Sequence, residues 1–208
     1  MIEIVHEDKD IVVAIKPQGT VSELIEDSPV SLPYILKQQK EYKEIYTVHR
    51  LDKDVCGLIV YAKNSTAAAF LSKQITDGTF NKEYIANVEG KLDESGIFED
   101  LLFFDKSKNK SYVVTRKRNG VKAARLEYNL IDHNIQNDVS TVRIKLITGR
   151  THQIRVQFAS RKHPVVGDKK YGSSSSVKPI YLYSTRLSFI SPSSKRTITL
   201  DLSPDWAK

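Results

Sequence analysis

Cysteine, methionine and tryptophan occur once each in this chain of 208 residues. The single thiol, Cys56, excludes an internal disulfide and any zinc site built on several thiolates, and a reducing cytoplasm is the expected location. No stretch approaches the roughly 18 unbroken apolar residues of a membrane span, so no membrane association is expected. The opening MIEIVHEDKDIVVAIKP is interrupted by Glu3, Glu7, Asp8, Lys9 and Asp10, which breaks the apolar segment of a signal peptide. No GxGxxG, GxxxxGK(S/T) or HExxH pattern occurs, which removes the usual signals for a dinucleotide, a nucleoside triphosphate and a helix-borne metal pair. Acidic residues are in deficit, 25 against 32 lysines and arginines, for a net charge of +7. A polyanionic partner is favoured, although charge alone also fits an ordinary solubilising surface.

What is present reads as one folded unit. A hydrophobic share of 40% with 27% charged residues is that of a globular protein and far from a disordered one. Residues 2–15 read as two strands around the charged turn EDKD, closed by Lys16-Pro17-Gln18-Gly19. Ser31 begins a short helix with Leu32, Ile35 and Leu36 at helical spacing. The run GLIVYA after HRLDKD suits a buried central strand, and Asn64 or Ser65 caps a following helix through AAAFLSKQI. Strand patterns then dominate in KEYIANVEG, SYVVTRK, ARLEYNLID and STVRIKLIT. HQIRVQFASRK reads as a helix with Ile154 and Phe158 inward, followed by the polar loop GDKKYGSSSS and the strands YLYSTRLSFI and RTITLDL.

Three constellations can carry chemistry. His49-Arg50-Leu51-Asp52-Lys53-Asp54 places carboxylates beside fixed cations at the mouth of a buried strand, where a carboxylate stays ionised and can act as nucleophile or base. A charged surface turn would look the same by spacing. Thr148-Gly149-Arg150-Thr151-His152-Gln153-Ile154-Arg155 joins a glycine turn to a helix start with two arginines and a histidine, suited to phosphate or carboxylate; a capped helix with solvated arginines is the plainer alternative. In Lys82-Glu83-Tyr84 the tyrosine can stack on a base or fill a core. The spacings of His49, Asp52, His152 and His163 match no usual ligand set, so no metal is expected.

In this order the segments resemble the RluA-type RNA pseudouridine synthases. That family shows a KPxG turn, then HRLDxxTSGLxxxAK, then KxYxAxVxG, then TGRTHQIRVHxxxxGHPxxGDxxYG. The stretches here are Lys16-Pro17-Gln18-Gly19, HRLDKDVCGLIVYAKN from His49, KEYIANVEG from Lys82, and TGRTHQIRVQFASRKHPVVGDKKYG from Thr148. The resemblance implies an α+β fold with a mixed, largely antiparallel central sheet flanked by helices, and a basic RNA-binding cleft. It implies one catalytic domain over residues 1–208, with no separate N-terminal RNA-binding domain, because the hairpin and first helix occupy the residues before His49.

It further implies isomerisation of specific uridines in structured ribosomal or transfer RNA, without a cofactor, by a monomer that needs no protein partner. Asp52 becomes the catalytic carboxylate, Tyr84 the residue that stacks on uracil, and Arg155 the partner of Asp52. Arg50 would enter the RNA where the uridine has left the stack, and Arg150, His152, His49 and Lys82 join it as substrate-binding candidates. Three positions depart from the family pattern. Val55-Cys56 stands for Thr-Ser, Gln157 for a histidine and Lys162 for a glycine, which we read as variation in packing or substrate fit. A non-catalytic RNA-binding protein or RNA chaperone of the same fold, and a metal-dependent nuclease using Asp52 and His49, are the alternatives.

Overall fold

The computed structural model describes residues 1–207. Two compact units emerge, one formed by Met1–Lys82 with Tyr183–Trp206, the other by Glu83–Leu182 with Ala207. Both are built on mostly antiparallel strands with few helices.

In the first unit, β1 (Ile4–Glu7) and β2 (Ile11–Lys16) form the expected opening hairpin. Its turn is fixed by Asp8, whose carboxylate accepts from the backbone N–H groups of Asp10 and Ile11 at 2.8 and 2.9 Å. Helix α1 (Leu32–Lys40) starts at Ser31, whose hydroxyl accepts from the Tyr34 N–H, and Pro33 sits in the first turn, where it costs no hydrogen bond. After the two-residue β3 (Tyr46–Thr47) comes β4 (Cys56–Ala62), buried along nearly its whole length. Helix α2 (Ser65–Asp77) is capped by Asn64 and stops at Gly78 in the left-handed region.

Two later strands complete this unit. β10 (Leu182–Ile190), which enters it at Tyr183, pairs with β11 (Thr197–Asp201). The strands run in the order β1, β2, β4, β10, with β3 added to β4 and β11 to β10. Strand β4 is antiparallel to β2 from Ile11↔Ala62 to Lys16↔Gly57, and parallel to β10 at Tyr183↔Cys56 and Ser184↔Gly57. This parallel contact makes the sheet mixed. It also requires a glycine, because a Cβ on Gly57 would lie 2.3 Å from the Ser184 carbonyl oxygen and the backbone there has φ +113°. The core packs Leu71 of α2 against Ile11, Val13, Leu58, Val60, Leu187 and Phe189. Burial of each such side chain contributes about 1.5–3 kcal/mol, and because Ile59 and Tyr61 on the other face of β4 are buried as well, the strand is packed on both sides.

The second unit contains most of β5 (Asn81–Glu89), then β6 (Ser95–Asp105), β7 (Lys110–Val114), β8 (Val121–Asn134) and β9 (Val139–Leu146). Their order is β5, β9, β8, β6, β7, all antiparallel. Strand β6 was not expected from the sequence, because Glu99 and Asp100 interrupt its apolar residues. Pairing with β8 from Ser95↔Asn129 to Phe103↔Val121 decides it, while Gln157 and Arg161 satisfy the Asp100 carboxylate.

Helix α3 (Gln153–Ala159) also differs in kind from the amphipathic helix expected. Ile154 and Phe158 are inward, but Gln153, Arg155, Val156 and Gln157 are buried as well. A helix buried all round belongs to the core, so its polar side chains must find protein partners. Gln157 is fully buried and donates to the Asp100 carboxylate at 2.7 Å and the Phe98 carbonyl at 3.3 Å, which gives this departure from the family pattern a packing role. No helix among the described residues is long and apolar enough to cross a membrane.

Candidate active site

The sequence-derived residues fall into both units. His49, Arg50, Asp52 and Lys82 lie in the first, and Tyr84, Arg150, His152 and Arg155 in the second.

In the first unit the HRLD loop is tied down on both sides of Asp52. Before it, the buried Ser22 hydroxyl accepts from the Leu51 N–H at 3.0 Å and donates to the Leu51 carbonyl at 2.9 Å. After it, the Lys53 carbonyl accepts from the Gly19 N–H at 2.9 Å, and the Val55 N–H closes a turn onto the Asp52 carbonyl at 3.0 Å. Lys16, fully buried, donates its ammonium to the carbonyls of Pro17, Lys53 and Val55 at 3.1, 3.1 and 2.9 Å. Desolvation lowers its pKa to about 8, against the raising influence of Cys56, Asp52 and Asp54. Asp52 itself is only partly buried. Its backbone is therefore fixed while its side chain retains access to solvent.

His49 occupies a core position. It is 7% exposed, its ring packs against Phe80, and its Nε2 accepts from the Val60 N–H at 3.1 Å. Burial, with a smaller push from the Lys82 charge, lowers its pKa to about 3, so it is neutral at physiological pH. The ring anchors the start of the loop to β4. Arg50 points the other way: it is exposed and pairs with Glu23 at 2.7 Å. Burial lowers the pKa of Lys82.

In the second unit Tyr84 is buried on β5, opposite Ile144 of β9 and on one face with Ala86 and Val88. The TGRTHQIR segment is sewn to its surroundings. The side-chain oxygen of Gln153, Oε1, accepts from the Thr148 hydroxyl at 2.8 Å and from the Arg150 N–H at 3.0 Å, and the Ser111 hydroxyl donates to the Thr151 backbone carbonyl at 2.6 Å. The N–H of Gln153 returns to the Arg150 carbonyl. The N–H groups of Arg150 and Gln153 are thus engaged inside the turn. Arg150 is exposed, with its Nε on the Ala123 carbonyl at 2.9 Å. His152 sits in the left-handed region at φ 55° and is buried.

Arg155 is 3% exposed and gives Nε and Nη2 to the two oxygens of Asp168 at 2.6 and 2.9 Å. Its guanidinium lies 5.2 Å from the ring centre of Tyr171. The Tyr171 hydroxyl accepts from the Ser111 N–H at 2.8 Å and lies 2.9 Å from His152 Nδ1. Lys16, Ser22, Asp168 and Tyr171 were not expected at the site. Lys16 and the GDKKYG stretch were visible as motif positions, but nothing local shows which partners they meet. Among the described residues no group of three or more histidines, cysteines or carboxylates is arranged to hold a metal.

Residues 10–160 match the family described as RNA pseudouridylate synthase. The chain is 36% identical over 182 residues to ribosomal large subunit pseudouridine synthase D of Borreliella burgdorferi, covering 82% of this chain and 55% of that protein. It is 30% identical over 211 residues to dual-specificity RNA pseudouridine synthase RluA of Salmonella typhimurium, covering 98% of this chain and 93% of that one. The solved structure of human RNA pseudouridylate synthase domain containing 1 aligns with a TM-score of 0.82 at 21% identity, over 98% of this chain and 84% of that one, which is a likeness of fold. The chain spans little more than half the length of the Borreliella relative, 55%.

Proposed function

The chain belongs to the RNA pseudouridylate synthase family, and from that premise we propose that it isomerises uridine in structured RNA to pseudouridine with Asp52 as its catalytic carboxylate. The observation that carries this reading is the state of Asp52: a partly exposed carboxylate on a loop fixed at Leu51, Lys53 and Val55. Such a group is aimed before substrate arrives, and reorganisation of the loop adds nothing to the barrier.

A uridine within RNA structure must leave its stack before its glycosidic bond can be reached, at a cost of about a few kcal/mol. The exposed Arg50 is the residue we assign to the vacated space, and Arg150 with the surplus of lysines and arginines to the phosphates. The bond from ribose to nitrogen then breaks, the uracil turns, and the ribose joins a ring carbon. That carbon gives up its hydrogen as a proton, and the freed ring nitrogen takes up a proton, so that the product is an isomer of the substrate. Nothing is oxidised or hydrolysed, so the balance requires no cofactor. Asp52 acts as nucleophile or takes a ribose proton, and Arg155 and Tyr84 are the other side chains we assign to catalysis, Tyr84 stacking on the uracil during rotation.

The proposal treats the two units as one catalytic domain acting in a reducing cytoplasm. For the substrate it takes ribosomal or transfer RNA, the former being named for the Borreliella relative.

The test is to map pseudouridines in RNA from cells with and without the protein, and to restore activity with wild type or Asp52→Asn. Wild type should restore at least one site and Asp52→Asn none, with folding retained. Restoration by Asp52→Asn would remove Asp52 from the mechanism. Binding of RNA without restored modification by either protein would favour the non-catalytic binder.

A further inference from the structure

Resting on the isomerase reading, we propose that Asp168 is a positioning residue for Arg155, and that the turn from Gly167 to Gly172 supports the active site through it.

Asp168 is 1% exposed and is itself held rigidly. Its N–H donates to the Val165 carbonyl at 3.0 Å, and its own carbonyl accepts from the N–H groups of Tyr171 and Ser173 at 3.0 and 3.1 Å. Gly167, just before it, has φ +84°, and a Cβ there would lie 2.7 Å from the Val177 carbonyl oxygen. The Gly167 N–H donates to the Ser173 hydroxyl at 2.9 Å. The carboxylate therefore projects from a backbone with little freedom.

What it projects onto is one edge of Arg155. Two parallel hydrogen bonds, to Nε and Nη2, match the fork geometry of a guanidinium with a carboxylate. Because the guanidinium is planar, fixing that edge fixes the direction of Nη1. The Tyr171 ring, from the same turn, limits rotation of the plane. Through its hydroxyl Tyr171 also reaches His152 and the backbone of β7 at Ser111. One short turn thus contacts both Arg155 and His152.

A role in stability alone explains this arrangement poorly. A buried ion pair offers little over well-packed apolar side chains of similar volume, because both charges are desolvated. What it supplies that apolar packing cannot is a charged group held in one orientation.

The experiment measures pseudouridine formation with enzyme in excess over total RNA from cells lacking the protein. It compares wild type, Asp168→Asn, Arg155→Ala and the double variant, each corrected for folded fraction. Asp168→Asn should lower the rate at saturating enzyme about a hundredfold, as misplacement by about an ångström does, with half-saturation changed less than about threefold. The double variant should be no slower than Arg155→Ala, since Asp168 acts through that side chain. An Asp168→Asn rate within about threefold of wild type, or effects that multiply in the double variant, overturns the assignment. If Asp168→Asn does not fold, Asp168→Glu carries the test, because it keeps the charge and moves the carboxylate by one methylene; wild-type turnover by that variant likewise overturns it. Absence of turnover by wild type defeats the isomerase reading and this assignment with it, whereas normal turnover by wild type and Asp168→Asn together defeats the assignment alone.

Discussion

Lys16 Nζ lies 2.9 Å from the carbonyl oxygen of Val55, so a fully buried ammonium is bonded to the backbone immediately after the HRLD loop. Burial lowers the Lys16 pKa to about 8, and it returns to the ordinary lysine value on unfolding. The unfolded chain therefore binds more protons between these two values, and stability rises with pH across that window. Below about pH 8 the full cost of burying the charge is present.

Between about pH 7.5 and about pH 9.5, wild type should gain about 2 kcal/mol relative to Lys16→Met. Urea unfolding of both proteins at the two pH values checks this. The comparison cancels the contributions of Lys82 and the tyrosines, and parallel pH dependences would rule out the buried ammonium.

The neutral His49 gives a dependence at the acid end. Its pKa of about 3 in the folded protein lies below the ordinary histidine value, so its contribution is complete above about pH 6.5 and is lost as pH falls toward 3. Wild type should lose about 2 kcal/mol more than His49→Gln between about pH 6.5 and about pH 4.5, because protonation removes the Nε2 acceptor from Val60. Equal losses in the two proteins would place the ring outside the core.

Lys162 stands where the family pattern has glycine, and its backbone is left-handed at φ 68°. A side chain there is strained by about 1–2 kcal/mol, partly offset by the greater freedom a glycine has when unfolded. Lys162→Gly should stabilise the protein by about 0.5–1 kcal/mol, read as a higher melting temperature. A lower one would mean that the exposed lysine makes a compensating contact.

Much of the local architecture is legible in the sequence. Asp8, Ser31 and Asn64 each announce a turn or cap because their side chains bond to backbone within three residues. GLIVYA reads as a buried strand because its composition leaves no polar face. Strand β6 is less legible, since Asp100 becomes compatible with it only through Gln157 and Arg161, which lie far along the chain.

The same division holds at the site. The sequence by itself determined the family motifs, their order, and a carboxylate, Asp52, placed just before a buried strand. Only the tertiary structure decided that His49 is a neutral core residue, that Lys16 anchors the loop across 39 positions, and that Arg155 is held by Asp168 across 13. Caps and strand patterns are contained in a few neighbouring residues. The charge state of a histidine and the partner of an arginine depend on desolvation and on groups brought close by folding, which no short stretch of sequence contains.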